Sequence, residues 1–292
     1  MVRAPHCKNK SYNYLYITLI LMLAVSLLLP HAAVAWRAGQ AAVLRSHYAG
    51  FERVESDYFH IRINAADSEL APRLAQEADR VVGEVAKLLP HIHKTDKPWL
   101  IIAPDQKTLK AAFSWGEGTG ALGVYMVDTL TILSPSAWDW VTKEKRLEVF
   151  LAEGPLAHEY THYVLDLRTG GNYPYWFSEG LAQLVEYKLN GYEWVEQDSS
   201  LSDFYTLAEL ESDFTALDRQ ALAYRQALSK VSYLESLRGM EGLNDLLDDL
   251  GRGISFYQAL SEIYGLDRGS FTEQWQSWFR QDQRWFLTAS RK

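Results

Sequence analysis

The part of the chain that follows residue 50 alternates between strand-like and helix-like patterns. Alternating apolar and polar positions over residues 57–64 predict a half-buried strand, and apolar positions at helical spacing predict a helix over residues 66–89. The unbroken apolar run over residues 99–103 predicts a buried strand, followed by a helix over residues 106–115. Residues 124–133 are expected to form a third strand, although their alternation is broken near the middle.

The remainder of the chain shows apolar positions at helical spacing almost to its end. One helix is predicted over residues 143–152, and a second is predicted over residues 155–167, with a proline in its first turn. A third is predicted over residues 177–189, and residues 205–288 offer four or five more. Strands followed by helices indicate an α+β fold with a helical C-terminal lobe.

Residues 1–35 have the pattern of an export segment. Three basic residues precede an uncharged apolar run from Leu15 to Leu29, and Pro30 and Ala33-Val34-Ala35 follow, as at a signal-peptidase site. The apolar run also approaches the roughly 20 residues that span a bilayer, so an uncleaved membrane anchor stays open as the alternative. Both interpretations predict that the body of the protein is exported, and that it meets a membrane only through this segment.

Composition narrows the choice of partners and of stabilising bonds. The chain of 292 residues carries a formal net charge of −8, and an acidic protein repels phosphate backbones, so nucleic acid is not expected as a partner. The single cysteine, Cys7, lies in the leader. The body therefore has no disulfide and depends on its apolar core.

The strongest candidate chemistry lies in the helix predicted over residues 155–167. His158 and His162 are four residues apart, so both imidazoles leave one face of the helix close enough to share a metal ion. Glu159 is turned by about 100° from His158, beside such an ion rather than on it, where a carboxylate can act as general base. The alternative is a pair of ordinary helical histidines.

Glu179 favours the metal interpretation because it supplies a third ligand. It lies 17 residues after His162, near the start of the next predicted helix, about the distance needed for a turn and an antiparallel return. Two imidazoles and one carboxylate suit zinc and leave a fourth position open, so one zinc ion per chain is predicted. Gly180, next to this ligand, is compatible with close packing of the two helices.

The motifs resemble a known family. His158-Glu-Tyr-Thr-His162 followed by Pro174-Tyr-Trp-Phe-Ser-Glu-Gly-Leu-Ala182 is similar to the peptidase MA-like domain, a bacterial branch of the gluzincin metallopeptidases related to thermolysin. The resemblance covers about residues 50–285. It implies a zincin-like mixed sheet with active-site helices in residues 50–190, and an all-helical lobe in residues 191–292.

The same resemblance implies roles for particular residues. His158, His162 and Glu179 would be the zinc ligands, and Glu159 would be the general base in the hydrolysis of a peptide or protein. Gluzincins also use a donor from the helical lobe to stabilise the oxyanion, and Tyr224 is the best-placed candidate, although a tyrosine that only packs between helices is the alternative.

Two further features follow from the resemblance. Where the thermolysin pattern often has an aspartate that supports a zinc-binding histidine, this chain has Gln183, which leaves Asp166 as a possible substitute. The strand over residues 120–133 could be the edge that pairs with an extended peptide substrate, or an ordinary strand of the sheet.

The predicted function is therefore a zinc-dependent peptidase that is exported. One rival is a binding or assembly module at the cell surface that keeps zinc for structure only, and another is a different amide or ester hydrolase using the same site. The sequence leaves open whether the cleavage is internal or at a free amino terminus.

Overall fold

The computed structural model describes residues 36–91, 97–113, 121–193 and 203–281. The chain divides into two compact units, Met1–Ala49 and Gly50–Lys292. In the first unit, residues 36–47 are helical, and the leader over residues 1–35 lies outside the described residues, so its export role stays a prediction. In the described ranges, no helix is both long enough and apolar enough to cross a bilayer.

The described part of the second unit contains one mixed sheet of five strands, in the order β1-β2-β3-β5-β4. The strands are β1 (Glu52–Val54), β2 (His60–Ile63), β3 (Trp99–Ala103), β4 (Gly123–Tyr125) and β5 (Thr129–Leu133). The three central strands are parallel, and the strand at each end is antiparallel to its neighbour. With the helices that follow, this sheet confirms the α+β prediction.

The single strand expected over residues 124–133 is wrong, because this segment is a hairpin. β4 and β5 are antiparallel and pair Gly123 with Ile132. Val127 and Asp128 lie between them with φ of 40° and 54°, the left-handed backbone that matches the twist of a two-residue hairpin. The broken alternation in the sequence marks this turn. β4, and not the whole segment, is therefore the edge of the sheet.

Helices make up most of the rest of the described chain. They are α1 (Ala71–Leu88), α2 (Gln106–Phe113), α3 (Arg146–Glu153), α4 (Leu156–Thr169), α5 (Tyr175–Asn190), α6 (Leu207–Ser212), α7 (Gln220–Gly251), α8 (Phe256–Tyr264) and α9 (Arg268–Phe279). Non-helical backbone at Arg238 and Gly239 breaks α7 into two parts. One continuous apolar cluster joins the sheet to α1, α4 and α5 and extends into α7, α8 and α9.

The packing around α5 brings the motif residues together. A five-residue connection joins α4 to α5, and α4 packs against β4, α1 and α5. A Cβ on Gly180 would come within 2.4 Å of the carbonyl oxygen of Ala227, so this glycine permits close contact with α7. The close partner of Gly180 is thus α7 and not α4, contrary to the expectation from the sequence. The contacts group Gly50–Lys292 into one compact unit. The division of this unit into a core and a lobe at residues 190 and 191 stays a prediction.

Candidate metal centre

The helix α4 holds two imidazoles and one carboxylate in a largely buried setting. His162 and Glu159 are 9% and 5% exposed, and His158 is partly buried. The ring centroids of His158 and His162 are 4.9 Å apart. The spacing of four residues therefore places both rings on one face of the helix, as predicted.

The helix α5 adds the carboxylate of Glu179 to the two imidazoles. Its Oε2 lies 3.2 Å from Nε2 of His158 and 3.6 Å from Nε2 of His162. Atoms bound to a tetrahedral zinc ion at about 2.0–2.1 Å are about 3.3 Å from one another. The separations match that value, and one candidate ligand atom from each residue lies within 4.8 Å of the others. These three residues fit a metal ion.

The other nitrogen of each ring has its own partner on α5. Nδ1 of His162 lies 2.8 Å from Oγ of Ser178, and Nδ1 of His158 lies 3.3 Å from Oε2 of Glu186. Such partners fix the orientation of a ligand imidazole and direct its Nε2 toward a metal. Sequence reasoning missed both residues.

The close contacts shift the pKa values of His158 and Glu179 in opposite directions. Burial alone would lower the pKa of His158, but hydrogen bonds to Glu179 and Glu186 raise it well above its usual range. Burial alone would raise the pKa of Glu179, but His162 and His158 together hold it well below its usual range. The cluster therefore favours a carboxylate at Glu179.

The supporting role considered for Asp166 is wrong. Its carboxylate accepts hydrogen bonds from Tyr125 at 3.0 Å and from Tyr173 at 2.6 Å, while Ser178, Glu179 and Glu186 occupy the imidazole nitrogens. The amide nitrogen of Gln183 donates hydrogen bonds to the backbone oxygens of Glu179 and Tyr224. Gln183 thus ties α5 to α7 and does not support a histidine.

Glu159 lies close to the cluster without taking part in its contacts. Burial raises the pKa of this carboxyl to about 7, although His158 and His162 pull it down. A Cβ on Gly123, in the edge strand β4, would come within 2.6 Å of Oε1 of Glu159. Only glycine leaves room for the carboxylate there. A carboxyl group with a pKa near neutrality can both accept and return a proton.

All of the predicted site residues line one cavity of about 870 Å³. Its wall includes His158, Glu159, His162, Glu179 and Tyr224, together with residues 121–125 from the hairpin. A volume in this range accommodates a drug-sized or short peptide ligand. The edge strand and the metal-binding atoms thus face the same space.

Comparison with protein families identifies the region that supplies the metal-binding part of this cavity. Residues 146–281 match the family model described as the Peptidase MA superfamily. This region is therefore similar to the peptidase MA superfamily. It supports a peptidase-type enzyme, and it spans α3 to α9, including both metal-ligand helices. No curated protein matched the chain.

Within the peptidase MA region, two tyrosines reach the metal cluster. The hydroxyl of Tyr175 donates a hydrogen bond to the carboxylate of Glu179 and forms another with the hydroxyl of Tyr224. Burial raises the pKa of both phenols, so both stay protonated and can act as donors. Tyr224 is thus placed within reach of the cluster through Tyr175.

Helical spacing could have found the residues that sequence reasoning missed. Tyr175 precedes Glu179 by four residues and Glu186 follows it by seven, so all three lie on one face of α5 in the peptidase MA region. The serine is adjacent to Glu179 in the chain. A search of the Glu179 face for polar residues would have found the tyrosine and the second glutamate.

Proposed function

We propose that this protein is a zinc-dependent peptidase of the gluzincin class that acts on peptides or proteins outside the cytoplasm. The observation that carries the proposal is the convergence of His158, His162 and Glu179 on one point, with the buried carboxyl of Glu159 beside it. The match to the peptidase MA superfamily supports the same class of reaction. One zinc ion per chain is expected.

Zinc held by these three residues would act as a Lewis acid that polarises a carbonyl and lowers the pKa of water. Glu159 accepts the proton of the attacking water and delivers it to the amine nitrogen as the C–N bond breaks. The products are a carboxylic acid and an amine. Burial, which raises the pKa of Glu159 to about 7 in the metal-free protein, supports a role in proton transfer.

Other residues position the reacting groups. The hydroxyl of Tyr224, which is hydrogen-bonded to Tyr175, is proposed to donate to the carbonyl oxygen as negative charge develops there. Ser178 and Glu186 hold the two imidazoles by their Nδ1 atoms. The edge strand β4 lies in the cavity wall, and its outer side, which pairs with no other strand that the structure describes, is proposed to bind an extended peptide.

The rival function is a binding or assembly module in which zinc serves only to stabilise the fold. The two functions assign different importance to two glutamates. A structural site needs Glu179 but has no use for a buried carboxyl that is not a ligand. A peptidase needs both, and needs Glu159 only for the reaction.

The test compares Glu159→Gln with Glu179→Gln in the purified protein. Glu159→Gln should retain zinc and the melting temperature, while hydrolysis of a peptide library falls by about 10²–10⁴-fold, the usual cost of losing general acid–base help. Glu179→Gln should lose zinc as well as activity, because a neutral amide is a poor ligand for a dication. Zinc content, melting temperature and peptide cleavage are measured on both.

A matched control is Glu148→Gln on α3, because Glu148 is exposed and lies outside the cavity wall. It should behave as the unaltered protein in all three measurements. A Glu159→Gln protein with full peptidase activity would contradict the proposal. A protein that binds zinc but cleaves nothing, with Glu159→Gln harmless, would favour the structural role.

A further inference from the structure

A second cavity, of about 600 Å³, lies among the C-terminal helices of the described chain. It is lined by the start of α6, the first two turns of α9 and one side chain of α7, Lys230. None of its lining residues lines the cavity of the metal centre. A volume of this size is within the range of small-molecule sites. The cavity therefore needs its own explanation.

Lys230 is the unusual residue of this cavity. It is 1% exposed, and its Nζ makes no hydrogen bond and no ion pair with any other residue that the structure describes. Nζ lies 3.4 Å from the ring centroid of Trp275 and 5.4 Å from that of Phe271. The rings attract a cation, but an ammonium group has three N–H donors and rings supply no strong acceptor. The amine is left short of partners.

Burial of this amine has a cost that the residues described by the structure offset only in part. Burial lowers the pKa of Lys230 well below its usual range, and the charge of Glu211 opposes that shift only in part. A buried charge without a partner is unfavourable, whereas one that forms a hydrogen-bonded ion pair is tolerated. A ligand with an anionic oxygen would supply the missing partner.

The lining of the cavity indicates which anion fits. Its charged side chains are both cations, Lys230 and Arg268, and the amide of Gln276 adds a further donor. Arg268 is half-exposed and already pairs with Glu211 at 2.7 Å, so Lys230 is the less satisfied of the two. Apolar surface from Phe204, Leu207 and Trp275 makes up much of the rest of the wall. A small, strongly hydrated anion would lose its water against this apolar wall without gaining hydrogen bonds from it.

We propose that this cavity binds an organic carboxylate, with its carboxylate group at Lys230 and its apolar body against Phe204 and Trp275. As the carboxylate binds, the amine of Lys230 takes up a proton from solvent, and the ammonium donates charge-assisted hydrogen bonds to the carboxylate, which are about twice as strong as those between neutral groups. The apolar body gains from leaving water. A free organic acid and the carboxyl terminus of a peptide both have this chemistry.

Isothermal titration calorimetry on the full-length protein tests the proposal and separates the two sources. One arm titrates 3-phenylpropionate and octanoate against their primary amides, and the other titrates a short peptide ending in leucine against its amidated form. In at least one arm the carboxylate should bind about tenfold tighter than its amide, because only the carboxylate can pair with the ammonium. The arm with the larger difference identifies the source.

Variants locate the binding. Lys230→Met keeps a long apolar side chain and removes the amine, so the preference for the acid over the amide should disappear. Lys230→Arg should keep part of it. The matched control is Lys188→Met, which removes a part-exposed lysine of α5 that pairs with Glu235, and it should bind as the unaltered protein does.

Two results would overturn the proposal. One is that neither arm distinguishes acid from amide in the unaltered protein, and this comparison holds even if a Lys230 variant fails to fold. The other is that Lys230→Met binds the acids as tightly as the unaltered protein does. In either case Lys230 serves only to pack against Trp275.

Discussion

The two cavities touch the same helix, α7, but satisfy their buried polar groups in different ways. At the metal centre, Glu179 and Glu186 face His158, and Ser178 faces His162, so the buried groups hold one another in place. In the second cavity, the Nζ of Lys230 lies against aromatic rings and makes no hydrogen bond to a residue that the structure describes. The first network is preorganised by the protein, whereas the second is the one that we propose a ligand completes.

The difference shows what a buried charge can indicate. A paired cluster gives each member a fixed orientation, which is what a metal ion or a proton transfer requires. An unpaired buried amine fixes nothing by itself and marks a place where a counter-charge can bind. Tests that remove one partner should therefore have large effects at the metal centre.

The largest effect should come from protons that compete with the metal. The pKa of His158 is raised well above its usual range in the metal-free protein, so its ring carries a proton that zinc must displace. Zinc affinity should then fall by about tenfold for each unit that the pH drops below this pKa, or about a hundredfold over two units. Chelator competition at several pH values measures it.

The sign of this effect is the decisive part. Affinity should rise with pH and level off once the imidazole is neutral without the metal. Zinc affinity that stays constant across the neutral range, or falls as the pH rises, would mean that His158 does not exchange its proton for the ion. The hydrogen-bonded network would then not control metal binding.

A smaller effect is expected from Glu186→Gln, which weakens the partner of His158 without touching a proposed ligand. Loss of such a supporting contact typically lowers metal affinity by about 10–100-fold. The pH dependence should also shift toward lower pH, because His158 loses a neighbouring negative charge. Zinc affinity at two pH values measures both changes, and Glu186→Asp should recover part of the affinity.

Glu235→Gln is the matched control, because it removes a glutamate that pairs with Lys188 and lies outside the wall of the metal cavity. It should leave zinc affinity unchanged. If Glu186→Gln and Glu235→Gln gave the same affinity as the unaltered protein, Glu186 would be an incidental neighbour of His158.

Much of the fold could be predicted because the local pattern matched the final environment. β3 lies at the predicted residues, and α4 and α5 begin and end within about two residues of their predictions. The hairpin was missed because its two turn positions are occupied by Val127 and Asp128, and neither is the glycine that is usual at such a turn. β1 was missed because only three residues form it, and an edge strand of that length has no clear period.

The two cavities differ in how far sequence reasoning could reach. The imidazoles share one helix, so their spacing alone brought them together, and Glu179 followed at a short distance. Lys230 gave no signal, because Phe271 and Trp275 are more than 40 residues away and a lysine in a helix usually lies on the surface. The partners Ser178 and Glu186 were not predicted because a polar residue of a helix usually lies on the surface.

The most direct test of the central claim is removal and return of the metal in the unaltered protein. Chelation should abolish peptide cleavage without unfolding the chain, and one equivalent of zinc per chain should restore it, because one set of three ligands serves one ion. Cleavage that continues after the zinc has been removed completely would contradict the assignment of His158, His162 and Glu179 as the centre of a metallopeptidase.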